Sequence, residues 1–304
     1  MLPILFTIPG LDLPIRSFGV MLALGFVVGA HLWSRLAGKY GDDPEHDPER
    51  VSQLVLWLLI GVVGGARLMY VVVEITKHLV AEAPSASSAG ARYLADPLSM
   101  LFIWQGGLVM YGGMLGAAGL GLIKARKFGL RPFDVLDTAL ISAFVGQSIG
   151  RIGCLLVGDD YGSIVPEHFR DLPFPLTIHI PILDDLKDGS LFRLADPPVA
   201  GEVLWAVQIW MGLNALLLAF IGYRILRKRR YAGQGSLWLF LLYSITRSGI
   251  EVFRGDSLRG LWFGGLSTSQ LVSIPLALVA ITLLWRLRNY DEREAPPEPL
   301  DSEG

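Results

Sequence analysis

Three arginines fall inside apolar stretches of this 304-residue chain: Arg67, Arg151 and Arg247. A guanidinium near the centre of a membrane helix costs roughly 2.5 to 3.5 kcal/mol on insertion scales, so such residues face a bundle interior or a wet cavity and mark function. Glu251 follows Arg247 by four residues, which puts the two on one helical face. Asp159 and Asp160 come just after the apolar run that carries Arg151. Three fixed cations with one or two carboxylates leave positive charge in excess, and the guest that suits them is an anion. The competing reading of a single arginine is snorkelling to the interface, or a structural pair with a carboxylate.

The glycines extend this constellation. In WQGGLVMYGGMLG, residues 104–116, Gly106, Gly107, Gly112 and Gly113 bracket Tyr111. Paired glycines at this spacing imply close backbone approach to a ligand, or a broken helix. Small residues four apart also serve plain helix packing. The Tyr111 phenol can donate a hydrogen bond into a site, or can belong to an interfacial aromatic belt.

The elements that must position these residues follow from composition. The chain is 52% hydrophobic and 18% charged with a mean hydropathy of +0.48, too apolar for a soluble domain. Seven windows of about 20 residues are long enough to span a bilayer: Ser17 to Leu36, Val51 to Ile75, Trp104 to Lys124, Phe133 to Val157, Val203 to Tyr223, Ser236 to Val252 and Gln270 to Leu287. The expectation is an all-α polytopic membrane protein with seven transmembrane helices. Arg35, Lys39 and Arg50, then Lys124, Arg126, Lys127 and Arg131, then Arg224 to Arg230, then Arg286, Arg288 and Arg293 lie in one set of loops. The positive-inside rule therefore places the N-terminus outside and the C-terminus inside. That orientation puts Arg67, Arg151 and Arg247 at one level, in the outer halves of the second, fourth and sixth spans.

One seven-span domain covers residues 1–290. Within it, 159–201 forms a small periplasmic cap interrupted by six prolines, and 291–304 is a disordered cytoplasmic tail. Ala83 to Gly90 reads as a flexible external loop. The first sixteen residues lack a basic n-region and a small-residue cleavage site, so no cleaved signal peptide is expected. A net charge of -2 gives no field for nucleic acid, and the single cysteine, Cys154, excludes a disulfide within the chain. Neither a metal nor a cofactor is expected.

At these residues the chain resembles the prolipoprotein diacylglyceryl transferases of the bacterial inner membrane. SFGVMLALGF is similar to the family's first-span motif, GVVGGARLMY to its G-A-R-x-x-Y element, and WQGGLVMYGGMLG to its G-G-x-x-x-x-G-G loop. GRIGCLLVGDDYG resembles the signature G-R-I-G-N-F-x-N-x-E-x-x-G, and RSGIEVFR the R-x-x-x-E-x-x-R element. The resemblance implies transfer of a diacylglyceryl group from phosphatidylglycerol to the lipobox cysteine of a prolipoprotein signal peptide, at the outer leaflet among membrane lipids. It makes Arg151 and Arg247 head-group ligands, with Glu251 orienting Arg247, Asp137 a polar support, Gly162 closing the signature loop, and Gln208 matching the family's P-S-Q-L-Y-E glutamine. This chain carries Phe18 where the family has tyrosine, Tyr111 for histidine, Cys154 for asparagine and Asp159 for glutamate.

The catalytic set expected on this basis is Arg151, Arg247, Glu251, Tyr111 and Asp159. Around it, Arg67, Phe18, Gly106, Gly107, Gly112, Gly113, Cys154, Gly162 and Gln208 form the substrate-binding set. The arginines hold the departing glycerol phosphate and lower the acceptor thiol's pKa. Tyr111 acts as donor or relay, because a phenol with an unperturbed pKa near 10 is no general base at neutral pH. Asp159 or Glu251 takes the proton. Cys154 is expected to be an inert part of the cavity wall rather than a covalent relay. The alternative is a non-catalytic protein on the same scaffold that binds or transports an anionic lipid.

Overall fold

The computed structural model describes residues 2–10, 13–80, 88–102, 106–195, 198–255, 261–262 and 266–291. Residues 83–87 of the expected external loop, Trp104, Gln105 and the tail from residue 292 onward lie outside this set. The chain is mostly helical: α1 Ser17–Tyr40, α2 Asp47–Val80, α3 Ala89–Ala95, α4 Met110–Lys127, α5 Pro132–Val157, α6 Val207–Leu226, α7 Gln234–Glu251 and α8 Thr268–Arg286. Three short antiparallel pairs accompany the helices, β1 Ile4–Ile8 with β2 Leu13–Arg16, β3 Thr177–His179 with β4 Val203–Trp205, and β5 Leu261–Trp262 with β6 Leu266–Ser267. The expectation of an all-α chain is corrected to that extent.

Each of the seven apolar windows contains one long helix, but only five of these helices are long and apolar enough to cross a membrane by length and composition: α1, α2, α5, α6 and α8. The other two differ for visible reasons. α4 starts at Met110 rather than Trp104, because Gly106 and Gly107 have φ of +83° and +80°, outside helical backbone, and its last turn is basic. α7 carries Arg247 and Glu251 among five serines, threonines and glutamines.

The residues group into two compact units, 1–33 with 136–304, and 34–135. In the second unit α2 and α4 pack backbone to backbone. A Cβ on Gly61 would lie 2.6 Å from the Gly116 carbonyl oxygen, and one on Gly65 2.3 Å from that of Gly112. The reverse approaches, Gly116 to Gly61 and Gly112 to Gly65, are equally tight. Gly113 faces Val62 and Ala66 in the same seam. This is small-residue helix packing, where van der Waals contact replaces the missing hydrophobic drive.

In the first unit α1 packs on α5 through Gly25 and Gly146 in the same manner, and Trp33 Nε1 donates to Thr138 Oγ1 at 3.1 Å. α7 begins where Asp137 of α5, fully buried, accepts from Ser236 N at 2.7 Å, Ser236 Oγ at 2.6 Å, Gly233 N at 3.0 Å and Arg229 Nη1 at 3.0 Å. A carboxylate there satisfies otherwise orphaned helix N-terminal donors. Segment 159–205 has its own small core of Tyr161, Ile180, Leu186, Phe192, Val199 and Leu204. PLTIHIPIL, residues 175–183, whose apolar run reads as a strand or a membrane-skimming segment, contributes β3 to it, and the start of the expected fifth span, Val203 to Trp205, is the strand β4.

Candidate active site

α5 ends with Arg151 and Cys154 in its last two turns. Gly158, with φ +83°, and Asp159 both donate their amides to the Cys154 carbonyl at 2.9 Å, the turn that favours glycine after a helix. Asp160 follows with φ +51°, a left-handed value that aspartate tolerates better than most residues. From that backbone its carboxylate reaches two guanidiniums: Oδ2 accepts from Arg151 Nη1, and Oδ1 from Arg254 Nη2 at 2.5 Å.

Arg254 reaches this position because the chain after α7 is sewn to the loop after α5. Gly162 pairs with Arg254 in an antiparallel bridge, Ser163 N donates to Phe253 O at 2.8 Å, and Gly255 N to Tyr161 O at 3.1 Å. A Cβ on Gly162 would meet the Trp205 carbonyl at 2.2 Å, so only glycine fits between these two strands. Arg254 Nη1 stands 4.0 Å from Glu251 Oε2, and the same oxygen accepts from Arg247 Nη1. Arg151, Asp160, Arg254, Glu251 and Arg247 thus form one alternating chain of charges, half-buried at Asp160 and buried at Glu251. Three guanidiniums against two carboxylates carry a net charge of +1.

Asp160 lies beyond α5. Burial by itself would raise its pKa, but the charges of Arg151 and Arg254 and the hydrogen bond from Arg151 outweigh it and hold the carboxyl below its usual range. It therefore stays an anion between the two arginines.

Several residues expected at the site are close to this chain of charges. Phe18 packs on Gly153, whose Cβ would lie 3.4 Å from the Phe18 ring. Cys154 is buried, and Arg151 Nη1 points at its sulfur from 3.8 Å. Gln208, in the first turn of α6, donates from Nε2 to the Asp159 carbonyl at 3.0 Å, while its buried Oε1 has no hydrogen-bond partner among the described residues. The Asp159 side chain accepts from the Asp160 amide at 2.9 Å. The carboxylate that bridges Arg151 and Arg254 is Asp160, next in sequence to Asp159.

Arg254 closes the R-x-x-x-E-x-x-R element of RSGIEVFR, at i+7 from Arg247, but was not placed in the expected site set. Tyr243, one turn before Arg247, holds its ring 5.5 Å from that of Phe144 in a tilted pair.

Arg67, Tyr111 and the four glycines belong to the other unit. Arg67 is buried at 5% exposure and is occupied by backbone. Nε donates to Met100 O at 2.7 Å, Nη1 to Gly106 O at 2.6 Å and Gly107 O at 3.2 Å, and Nη2 to Ser99 O at 3.3 Å. Gly112 and Gly113 lie in the α2–α4 seam, so the packing reading of that pair is the one their surroundings match. Tyr111 sits in the first turn of α4, 38% exposed.

Residues 3–286 match the model of a family described as prolipoprotein diacylglyceryl transferase. Curated proteins of that activity align along nearly their whole length. The phosphatidylglycerol–prolipoprotein diacylglyceryl transferase of Gloeobacter violaceus is 30% identical over 93% of this chain and 92% of its own length. The transferase of the same name from Thermus thermophilus is 30% identical over 90% and 95%, and that of Trichormus variabilis 28% identical over 99% of each chain. A guanidinium chain tied to the G-R-I-G segment, together with this end-to-end match, establishes that the chain belongs to the prolipoprotein diacylglyceryl transferase family of membrane enzymes.

Proposed function

We propose that this protein transfers the diacylglyceryl group of phosphatidylglycerol to the thiol of a lipobox cysteine in a prolipoprotein signal peptide, at the outer leaflet of the bacterial inner membrane. The observation that carries this reading is the charge chain from Arg151 to Arg247. Its three guanidiniums, held together by Asp160 and Glu251, suit one phosphodiester monoanion, the charge state of phosphatidylglycerol.

In the reaction the cysteine sulfur forms a thioether bond to a glycerol carbon, and the bond from that carbon to the phosphate oxygen breaks. Glycerol phosphate leaves. The thiol's proton ends in solvent at neutral pH, because the departing phosphate monoester, with a second pKa near 6, is mostly a dianion there. Arg151, Arg254 and Arg247 hold the charge that grows on the leaving phosphate, and the same field favours the thiolate. Glu251 and Asp160 are tied to guanidiniums, so their part is to orient those groups. Tyr111 stands where the family has histidine and serves as donor or relay. The seven long helices and the basic loops support seven spans, with the N-terminus outside and the C-terminus inside.

The test is complementation of a bacterium depleted of its own diacylglyceryl transferase, read by the mobility shift of a model prolipoprotein. Growth with a phosphatidylglycerol-dependent shift is expected. A well-expressed, lipid-binding protein that gives no shift overturns the reading in favour of lipid binding alone.

A further inference from the structure

We propose that Arg67 is a positioning residue: it clamps the loop before α4 and so sets Tyr111, rather than binding the lipid phosphate itself. This rests on the reading of Tyr111 as donor or relay given above. A guanidinium has five N–H donors, and four of Arg67's are used on the carbonyls of Ser99, Met100, Gly106 and Gly107. The cation also stands 5.6 Å over the Tyr70 ring and 5.5 Å over the Tyr93 ring. Carbonyl dipoles and aromatic faces solvate the charge, as they do for buried cations without a counter-ion. Recruitment to a phosphate would take the guanidinium away from the carbonyls of Met100, Gly106 and Gly107.

The loop it gathers is one that cannot hold its shape by propensity. Gly106 and Gly107 are consecutive residues at positive φ, and a Cβ on Gly107 would strike the Tyr70 ring at 2.2 Å. Val109 N donates to Ala66 O at 3.0 Å, next to Arg67 in sequence, and Tyr111 follows two residues later. One turn of α2 therefore holds both Gly106 with Gly107 and the start of α4. Lysine cannot replace this fork, having a point charge where four spread carbonyls need planar donors.

The experiment compares Arg67→Gln, Arg67→Lys, Gly107→Ala, Tyr111→Phe and the Arg67→Gln/Tyr111→Phe double variant. Each is measured for kcat and for the phosphatidylglycerol dissociation constant in nanodiscs, and the parent and the variants that keep Tyr111 also by 19F NMR of fluorotyrosine at that position. Arg67→Gln, Arg67→Lys and Gly107→Ala are each expected to lower kcat about tenfold or more, with lipid affinity within twofold of the parent and a shifted or broadened 111 resonance. The double variant is expected to be no slower than the slower single variant. A tenfold loss of lipid affinity in Arg67→Gln, an unchanged 111 resonance, or multiplying losses in the double variant overturns the clamp. A parent protein that never transfers lipid overturns the functional reading instead, and the resonance still decides whether Arg67 sets Tyr111.

Discussion

Arg151 and Arg254, 103 positions apart in sequence, share a single carboxylate. Asp160 gives one oxygen to each, and the pairing depends on a left-handed residue just past α5 and on the bridge between Gly162 and Arg254. A substitution at any of these points should be felt at the other arginine.

Acid stability is one place to see it. Because the folded pKa of Asp160 is depressed, the unfolded chain binds the proton first, and this carboxylate's contribution is fully present above the unfolded value near 3.9. It is lost as pH falls through the folded value. Thermal unfolding in detergent, followed downward from pH 6, should show a falling Tm below about pH 4 that is shallower in Asp160→Asn. Identical acid limbs in the two proteins would contradict the pairing.

Arg151→Gln should keep the fold and lose the lipid. Truncating one member of a hydrogen-bonded charge set costs about 2 to 5 kcal/mol, or roughly thirtyfold to several thousandfold in phosphatidylglycerol affinity. Binding in nanodiscs, with circular dichroism as the control for folding, measures it. Retained affinity would remove Arg151 from the head-group site.

Cys154→Ser should retain transfer within about threefold, because the thiol is buried against Arg151 and its chemistry is not used. Turnover with a model prolipoprotein is the readout. A folded but inactive Cys154→Ser protein would make the thiol a participant.

Gly116→Val should damage the second unit while leaving the charge chain's residues untouched. Its Cβ would stand 2.1 Å from the Gly61 carbonyl, and overpacking of this kind costs about 1 to 3 kcal/mol. A lower Tm and reduced yield are expected. An unchanged Tm would mean that α2 and α4 pack less closely than described.

Much of this protein is fixed by local sequence. Apolar length alone gives α1, α2, α5, α6 and α8, since about 20 apolar residues are what a bilayer requires, and Arg247 with Glu251 is legible because four positions make one helical face. The strand pairings, the start of α4 at Met110 and the core of segment 159–205 were not legible, because each depends on a partner distant in sequence, although PLTIHIPIL reads as a strand or a membrane-skimming segment. The same holds at the site. Sequence brought Arg151, Arg247 and Glu251 forward by chemistry and spacing, but Asp159 and Asp160 are adjacent and chemically alike. Only the φ of +51° at Asp160 and the strand pairing of Arg254 decided which carboxylate joins the arginines. Arg67 shows the reverse case: its burial was legible from sequence, while its partners, four carbonyls of a loop more than thirty residues away, exist only once the chain has folded. Residue type sets what a side chain can do, and long-range backbone geometry sets what it is given to do it with.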